Sequence, residues 1–150
     1  MDMQIDAAGI AFIKGWESCS LTIYLDAAGK STIGWGHLLG DSEMFSGSIT
    51  QEEAEALLLS DLQTPQDAVN RLADPSCNQN QFNALVSFAF NLGSGSLQTM
   101  LAHGWSEVPA QMPRWVYAGA RKVEGLVNRR NAEAALFQSL ISLPTSYPAP

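Results

Sequence analysis

Between residues 6 and 36 the periodicity of the apolar side chains changes once, from helical to alternating, and that change confines the chain to a fold mixing helix with sheet. Ile10, Ile13 and Trp16 recur at helical spacing behind Asp6, whose carboxylate suits an N-cap. From Leu21 the period becomes two: Leu21, Ile23 and Leu25 share one face, and Thr22, Tyr24 and Asp26 share the other. Residues 27–30, Ala-Ala-Gly-Lys, supply a turn, after which Ser31, Ile33 and Trp35 alternate with Thr32, Gly34 and Gly36 on a return strand. A hairpin is therefore predicted, with Asp26 and Thr32 on one face beside two glycines that leave the backbone bare.

Later segments read as helices. Thr50 and Glu53 form a capping box ahead of an inner stripe of Ala54, Leu57, Leu58 and Leu62. Pro65 opens a further helical turn and Pro75 marks a loop. Residues 79–93, QNQFNALVSFAFNLG, carry Phe82, Leu85, Val86, Ala89, Phe90 and Leu92 on a broad apolar surface ended by Gly93. Near the C-terminus, Leu126, Arg129, Glu133, Phe137 and Leu140 fall near one stripe, and Val127, Arg130, Ala134 and Ile141 on a neighbouring one. Two arginines flanking buried surface need an acidic partner, and Glu133, one turn after Arg129, is the local candidate.

The chemistry concentrates where the period changes. Glu17 lies four residues after Ile13 and seven after Ile10, on or beside the buried stripe. Apolar surroundings there favour the neutral carboxyl that a general acid needs. A second carboxylate, Asp26, and a hydroxyl, Thr32, follow within the same segment. Two carboxylates with a water-holding group suit glycoside hydrolysis, in which one acid protonates the departing oxygen while the other stabilises charge or activates water. His37 is better suited to a structural hydrogen bond with an Asp of the helical lobe than to proton transfer. Cys19, close to Glu17, has no histidine placed to activate it, and with Cys77 it forms either a disulfide or two free thiols. There is no HExxH, cysteine cluster or EF-hand spacing, so neither metal nor cofactor is expected, and Gly34-Trp35-Gly36 lacks the third glycine of a nucleotide fingerprint.

The pattern E-x8-D-x5-T running into T-I-G-x-G-H resembles the phage-type lysozymes, the endolysins of glycoside hydrolase family 24. Two further blocks agree: residues 79–93, and GLVNRRNAEAALF at residues 125–137, similar to the family's GL-x2-RR-x2-E-x2-L pattern. The resemblance implies an α+β, lysozyme-like fold with a small β-hairpin lobe, a larger all-helical lobe and a cleft between them. It implies cleavage of the β-1,4 bond between N-acetylmuramic acid and N-acetylglucosamine in bacterial peptidoglycan, leading to host lysis; a silent peptidoglycan-binding module is the alternative. Carried over by position, Glu17 is the general acid, Asp26 the carboxylate opposite it and Thr32 the hydroxyl that positions water, a set that leans towards inversion. Arg129 is expected to orient the acid, and Leu38 and Phe90 to border the glycan.

At 150 residues and 46% hydrophobic content the chain suits one domain, divided into a hairpin lobe at about 17–48, a linking helix at about 50–62, a helical lobe at about 65–143 and a disordered tail at 144–150. Fifteen acidic against eight basic side chains give a net charge of −7, which disfavours nucleic acid as a partner and is unexpected for an enzyme attacking an anionic wall. The start, Met-Asp-Met-Gln-Ile-Asp, reads as neither secretory signal nor membrane anchor, so a monomer without membrane insertion is expected. It would be held in the host cytoplasm before release to the wall through a holin or another delivery route.

Overall fold

The computed structural model describes residues 2–40, 43 and 47–140; Ile141 and the tail expected at 144–150 lie outside the described residues. Its elements fall into two compact units, one made of residues 13–63 and the other of residues 1–12 with 64–150.

In the first unit, the end of helix α1 (Ala7–Trp16) leads into a three-stranded antiparallel sheet of β1 (Ser20–Leu25), β2 (Ser31–Gly34) and β3 (His37–Leu38), followed by α2 (Gln51–Asp61). The expected return strand is broken. Gly34 and Gly36 adopt φ +67° and +81°, left-handed values that glycine reaches without steric cost, and the chain turns at Trp35-Gly36 into a third strand. Strand β1 carries a bulge between Ser20 and Tyr24, and Thr22 bridges to Ser48. Helix α2 begins at Thr50 with the predicted capping box: the Glu53 backbone N–H donates to the Thr50 hydroxyl, and the Thr50 N–H to the Glu53 carboxylate. One buried cluster of this unit is Ile33, Ile49 and Ala54, with Cys19, Trp35, Leu39 and Leu57 packed against it, and Ile13, Leu58 and Leu62 are buried as well. Lys14 ties the layers together, ion-paired to Glu55 at 2.5 Å and 5.3 Å above the Trp35 ring.

The second unit begins with the first turns of α1, where Asp6 caps the helix as expected, accepting from the Gly9 N–H at 2.9 Å. It continues through α3 (Gln63–Leu72), α4 (Gln79–Leu92), α5 (Ser94–Leu101), a short α6 (Val108–Gln111) and α7 (Glu124–Gln138). Among the described residues its sheet structure is one ribbon, β4 (Tyr117–Ala118) with β5 (Arg121–Lys122), turned by Gly119 at φ +63°. Helix α4 is its centre, with Phe82, Ala84, Leu85, Val86, Phe88 and Ala89 all buried. A helix buried on most sides must satisfy its polar members internally. Asn83 does so by donating to Asp6 at 2.8 Å, and Ser87 by donating to Glu133 at 2.8 Å.

Helix α7 packs against α4 and brings the paired arginines with it. Glu133 is their partner: Oε1 accepts from Arg129 Nε at 3.0 Å and Oε2 from Arg130 at 2.6 Å. Arg130 also donates to Asn91 and lies over the Phe88 ring. Burial pushes Glu133 up towards its neutral form and Arg130 down, each against the pull of its ion pair. Neither side chain is exposed at all. Removing the carboxylate would leave two buried guanidinium groups uncompensated, so Glu133→Ala is expected to lose about 3–5 kcal/mol in chemical denaturation. A loss below about 1 kcal/mol would mean that the cluster is not sustained by its charges.

Candidate functional site

The segment with the expected chemistry lies wholly in the first unit, and its geometry follows from one turn. The Asp26 N–H donates to the Lys30 carbonyl and the Gly29 N–H to the Asp26 carbonyl, both at 2.9 Å. Within that loop the Asp26 side chain accepts from the backbone N–H groups of Ala28 and Lys30, both at 2.8 Å and both on Oδ1. The carboxylate is thus oriented by its own turn, as Asp side chains often are. Oδ2 is the oxygen left to face water or substrate.

The register then places Tyr24 opposite Thr32, and Thr32 opposite Leu38. Residues directly opposite in antiparallel strands project on the same face, so these three form one row across the sheet. By the alternation of β1, Asp26 belongs to that face too. Thr32, in the middle, is only 2% exposed, whereas Tyr24 is 38% and Leu38 51% exposed. The Thr32 hydroxyl donates to the Lys30 carbonyl at 3.0 Å. Its proton is therefore committed, and what Oγ1 can offer a water is a lone pair.

Glu17 follows directly on α1, its N–H donating to the Ile13 carbonyl at 3.2 Å, with a half-buried side chain. Gly36 comes close to its carboxylate: a Cβ there would sit 3.5 Å from Oε2. Gly34 does not have the open role expected of it. Its α-carbon faces Ala54 and Ile49, where a Cβ would make ordinary packing contacts of 3.6–3.8 Å, so of these two glycines it is Gly36 that bares backbone near a carboxylate.

His37 is held at both ring nitrogens. Nδ1 meets Asp61, at the end of α2, at 2.8 Å, and Nε2 meets Glu43 at 2.9 Å. An aspartate of the helical lobe was expected here; Asp61 instead ends α2, in the same unit as His37, while Glu43, in a stretch without periodicity, gave no advance signal. Glu43 in turn accepts from the Gly40 N–H at 3.0 Å. Two carboxylates leave the ring no spare lone pair for proton transfer. The outer face of β1 is less covered than an apolar row implies, with Leu21, Ile23 and Leu25 all exposed.

Glu17, Asp26, Thr32, His37 and Leu38 therefore share one unit, and Phe90 and Arg129 belong to the other. There Phe90 is half-buried at the end of α4. Arg129, 4% exposed, is fixed by Glu133 and by bonds of 3.3 Å to the Ser87 carbonyl and hydroxyl. Both cysteines are free thiols, and burial pushes the Cys77 thiol up to about 11, which makes it a poor nucleophile. Among the described residues no cluster of His, Cys, Asp and Glu is arranged to hold a metal ion, and no helix is long and apolar enough to cross a membrane.

Residues 14–133 match the sequence profile of the family described as Phage lysozyme. The chain belongs to that family. It is similar to the endolysin of Bacillus phage PZA, with 42% identity over 145 residues that cover 91% of this chain and 56% of that protein. It is also similar to the endolysin of Salmonella phage P22, with 35% identity over 146 residues covering 91% and 99% respectively. In structure it is similar to the endolysin of Escherichia coli O157:H7 phage FAHEc1, with a TM-score of 0.81 and 32% identity over 95% of this chain and 98% of that one. The α+β lysozyme-like fold is thus shown. The chain spans about half the length of the curated Bacillus phage relatives it matches.

Within the phage lysozyme fold, His37 has a defined pH signature. Burial opposes the charged ring, but the hydrogen bonds and charges of Glu43 and Asp61 outweigh it, raising the pKa above the ordinary 6.5. A raised histidine pKa contributes stability that is complete below 6.5 and lost as pH rises through the folded value. Glu43, lowered from 4.5 by the Gly40 N–H and by His37, contributes above 4.5 and loses its share as pH falls through its folded value. Both contributions are complete between 4.5 and 6.5. Thermal unfolding of wild type and His37→Gln should accordingly differ most inside that window and converge at alkaline pH. A difference constant with pH would show that the ring acts by packing alone.

Proposed function

We propose that this chain is a muramidase, a lysozyme-type glycoside hydrolase that cleaves the β-1,4 bond between N-acetylmuramic acid and N-acetylglucosamine in bacterial peptidoglycan and so lyses the host cell. The observation that carries the reading is the retention, in one unit of a phage lysozyme fold, of Glu17, Asp26 and Thr32 with Asp26 and Thr32 already fixed by their own backbone. Glu17 is the general acid, protonating the oxygen of the departing sugar. Asp26, steadied at Oδ1, offers Oδ2 to a water, and Thr32 accepts a second hydrogen bond from that water through its free lone pair. Two acceptors on one water direct its remaining lone pairs at the anomeric carbon, so the reaction inverts configuration.

Leu38, exposed beside Thr32, offers the glycan an apolar edge, and His37 serves the site by position rather than by proton transfer. Arg129 and Phe90 keep the roles the resemblance gives them. The protein works as a monomer without cofactor and reaches the wall from the host cytoplasm by a holin or another delivery route.

Glu17→Gln removes the transferable proton while keeping the shape of the side chain. On purified peptidoglycan, release of reducing sugar is expected to fall at least about a hundredfold, the lower end of the range for one general acid. Undiminished release would rule out Glu17 as the acid, and binding of the wall without cleavage by the wild type would favour a recognition module instead. A proton NMR time course of the first-formed anomer tests inversion, with a β product contradicting it.

A further inference from the structure

Tyr24 is a large, exposed side chain on the face that carries Asp26 and Thr32, and the reaction outlined above assigns it no task. The register sets it directly opposite Thr32, with Leu38 on the far side of the same row. Side chains opposite one another in such a ladder have Cβ atoms about 5 Å apart. A group bound against Thr32 therefore lies between the Tyr24 ring and Leu38. Both flanking residues stay accessible while Thr32 is nearly sealed. The polar tip and apolar body of tyrosine suit the mixed faces of a sugar ring.

The two carboxylates reach Tyr24 electrostatically. Burial first, then the charges of Glu17 and Asp26, raise its pKa above 10, with a smaller push from Cys19. The phenol therefore remains an O–H donor through the whole neutral range. Carboxylates on both sides can only accept when ionised, and Thr32 has spent its proton on Lys30, so Tyr24 is the hydroxyl on this row with a hydrogen to give.

From this arrangement we propose that Tyr24 is a substrate-contacting residue, its ring giving an N-acetylated hexosamine a surface to lie against and its hydroxyl donating to that sugar. The inference rests on the muramidase reading and adds a contact to it. The ring acts in ground-state binding, and so it should weigh on KM more than on kcat.

Tyr24→Ala and Tyr24→Phe, assayed on soluble peptidoglycan fragments, separate ring from hydroxyl. Tyr24→Ala is expected to raise KM on the order of tenfold with a smaller change in kcat, and Tyr24→Phe to recover most of that loss while remaining about threefold weaker than wild type. Circular dichroism and thermal midpoints check that both variants fold. A folded Tyr24→Ala protein with the KM of wild type overturns the inference, as does a fall in kcat alone. Binding is tested independently of cleavage by co-sedimentation of Glu17→Gln and of Glu17→Gln/Tyr24→Ala with purified peptidoglycan. About tenfold weaker binding by the double variant supports the contact. Equal binding overturns Tyr24 only, and no binding by either protein overturns the muramidase reading with it.

Discussion

The carboxylate of Asp26 accepts two backbone N–H groups of the loop that follows it, and the arrangement of the first unit depends on that closure. With the turn fixed, Leu25 meets Ser31 and Tyr24 meets Thr32, and the third strand inherits the register to set Leu38 beside Thr32. A slip of one residue would turn Thr32 to the other face and separate it from Asp26. One side chain thus has two duties, shaping the backbone with one oxygen and presenting the other. Replacing it with alanine would confound the two, since the turn loses its hydrogen bonds when the site loses its charge.

The second unit is held by a different device. Its centre contains a carboxylate shared by two guanidinium groups, each taking one oxygen, with Ser87 and Asn91 on the α4 side and Phe88 beneath Arg130. Such a cluster contributes little net stability over an apolar core of the same volume, because desolvating the ions offsets their attraction. What it provides is register. The guanidinium groups bond to Ser87 and Asn91 of α4 as well as to Glu133, so α7 can settle against α4 in few alternative ways. His37 is a smaller version of the same device in the first unit, tying α2 and the segment at Glu43 to the third strand.

Much of this was legible because strong local signals coincide with the periodicity. Asp6, the Thr50–Glu53 box and Gly93 mark helix ends through hydrogen bonds that span only a few residues, and the structure uses all three. The shared face of Asp26 and Thr32 was legible for the same reason: parity survives the bulge in β1, which shifts the pairing by an even number of residues. What escaped depends on tertiary partners or on segments too short to show a period. Strands β4 and β5 are two residues each, below the length at which alternation can be read. The left-handed turn after Gly34 looks like continuing alternation in sequence. Phe88 lies off the stripe read on α4, yet Trp115 and Arg130 bury it from the side that a single amphipathic face leaves to solvent. Parity puts Tyr24 on the right face, but the role proposed for it rests on the pairing with Thr32.

In the muramidase proposed above, the same geometry bears on whether Asp26 would attack the sugar or steer water. A carboxylate nucleophile must bring one oxygen to bonding distance of the anomeric carbon, and rotation about its side-chain bonds is the usual means. Here rotation would break the bonds to the Ala28 and Lys30 N–H groups, each charge-assisted and together worth a few kcal/mol. A base that only accepts a proton from water need not move. Thr32 acts in the same sense, since a hydroxyl whose proton is held by Lys30 can accept from water but cannot donate to a leaving group. Both groups are therefore preorganised as acceptors, and acceptors without donors suit a water that arrives with two protons and departs with one.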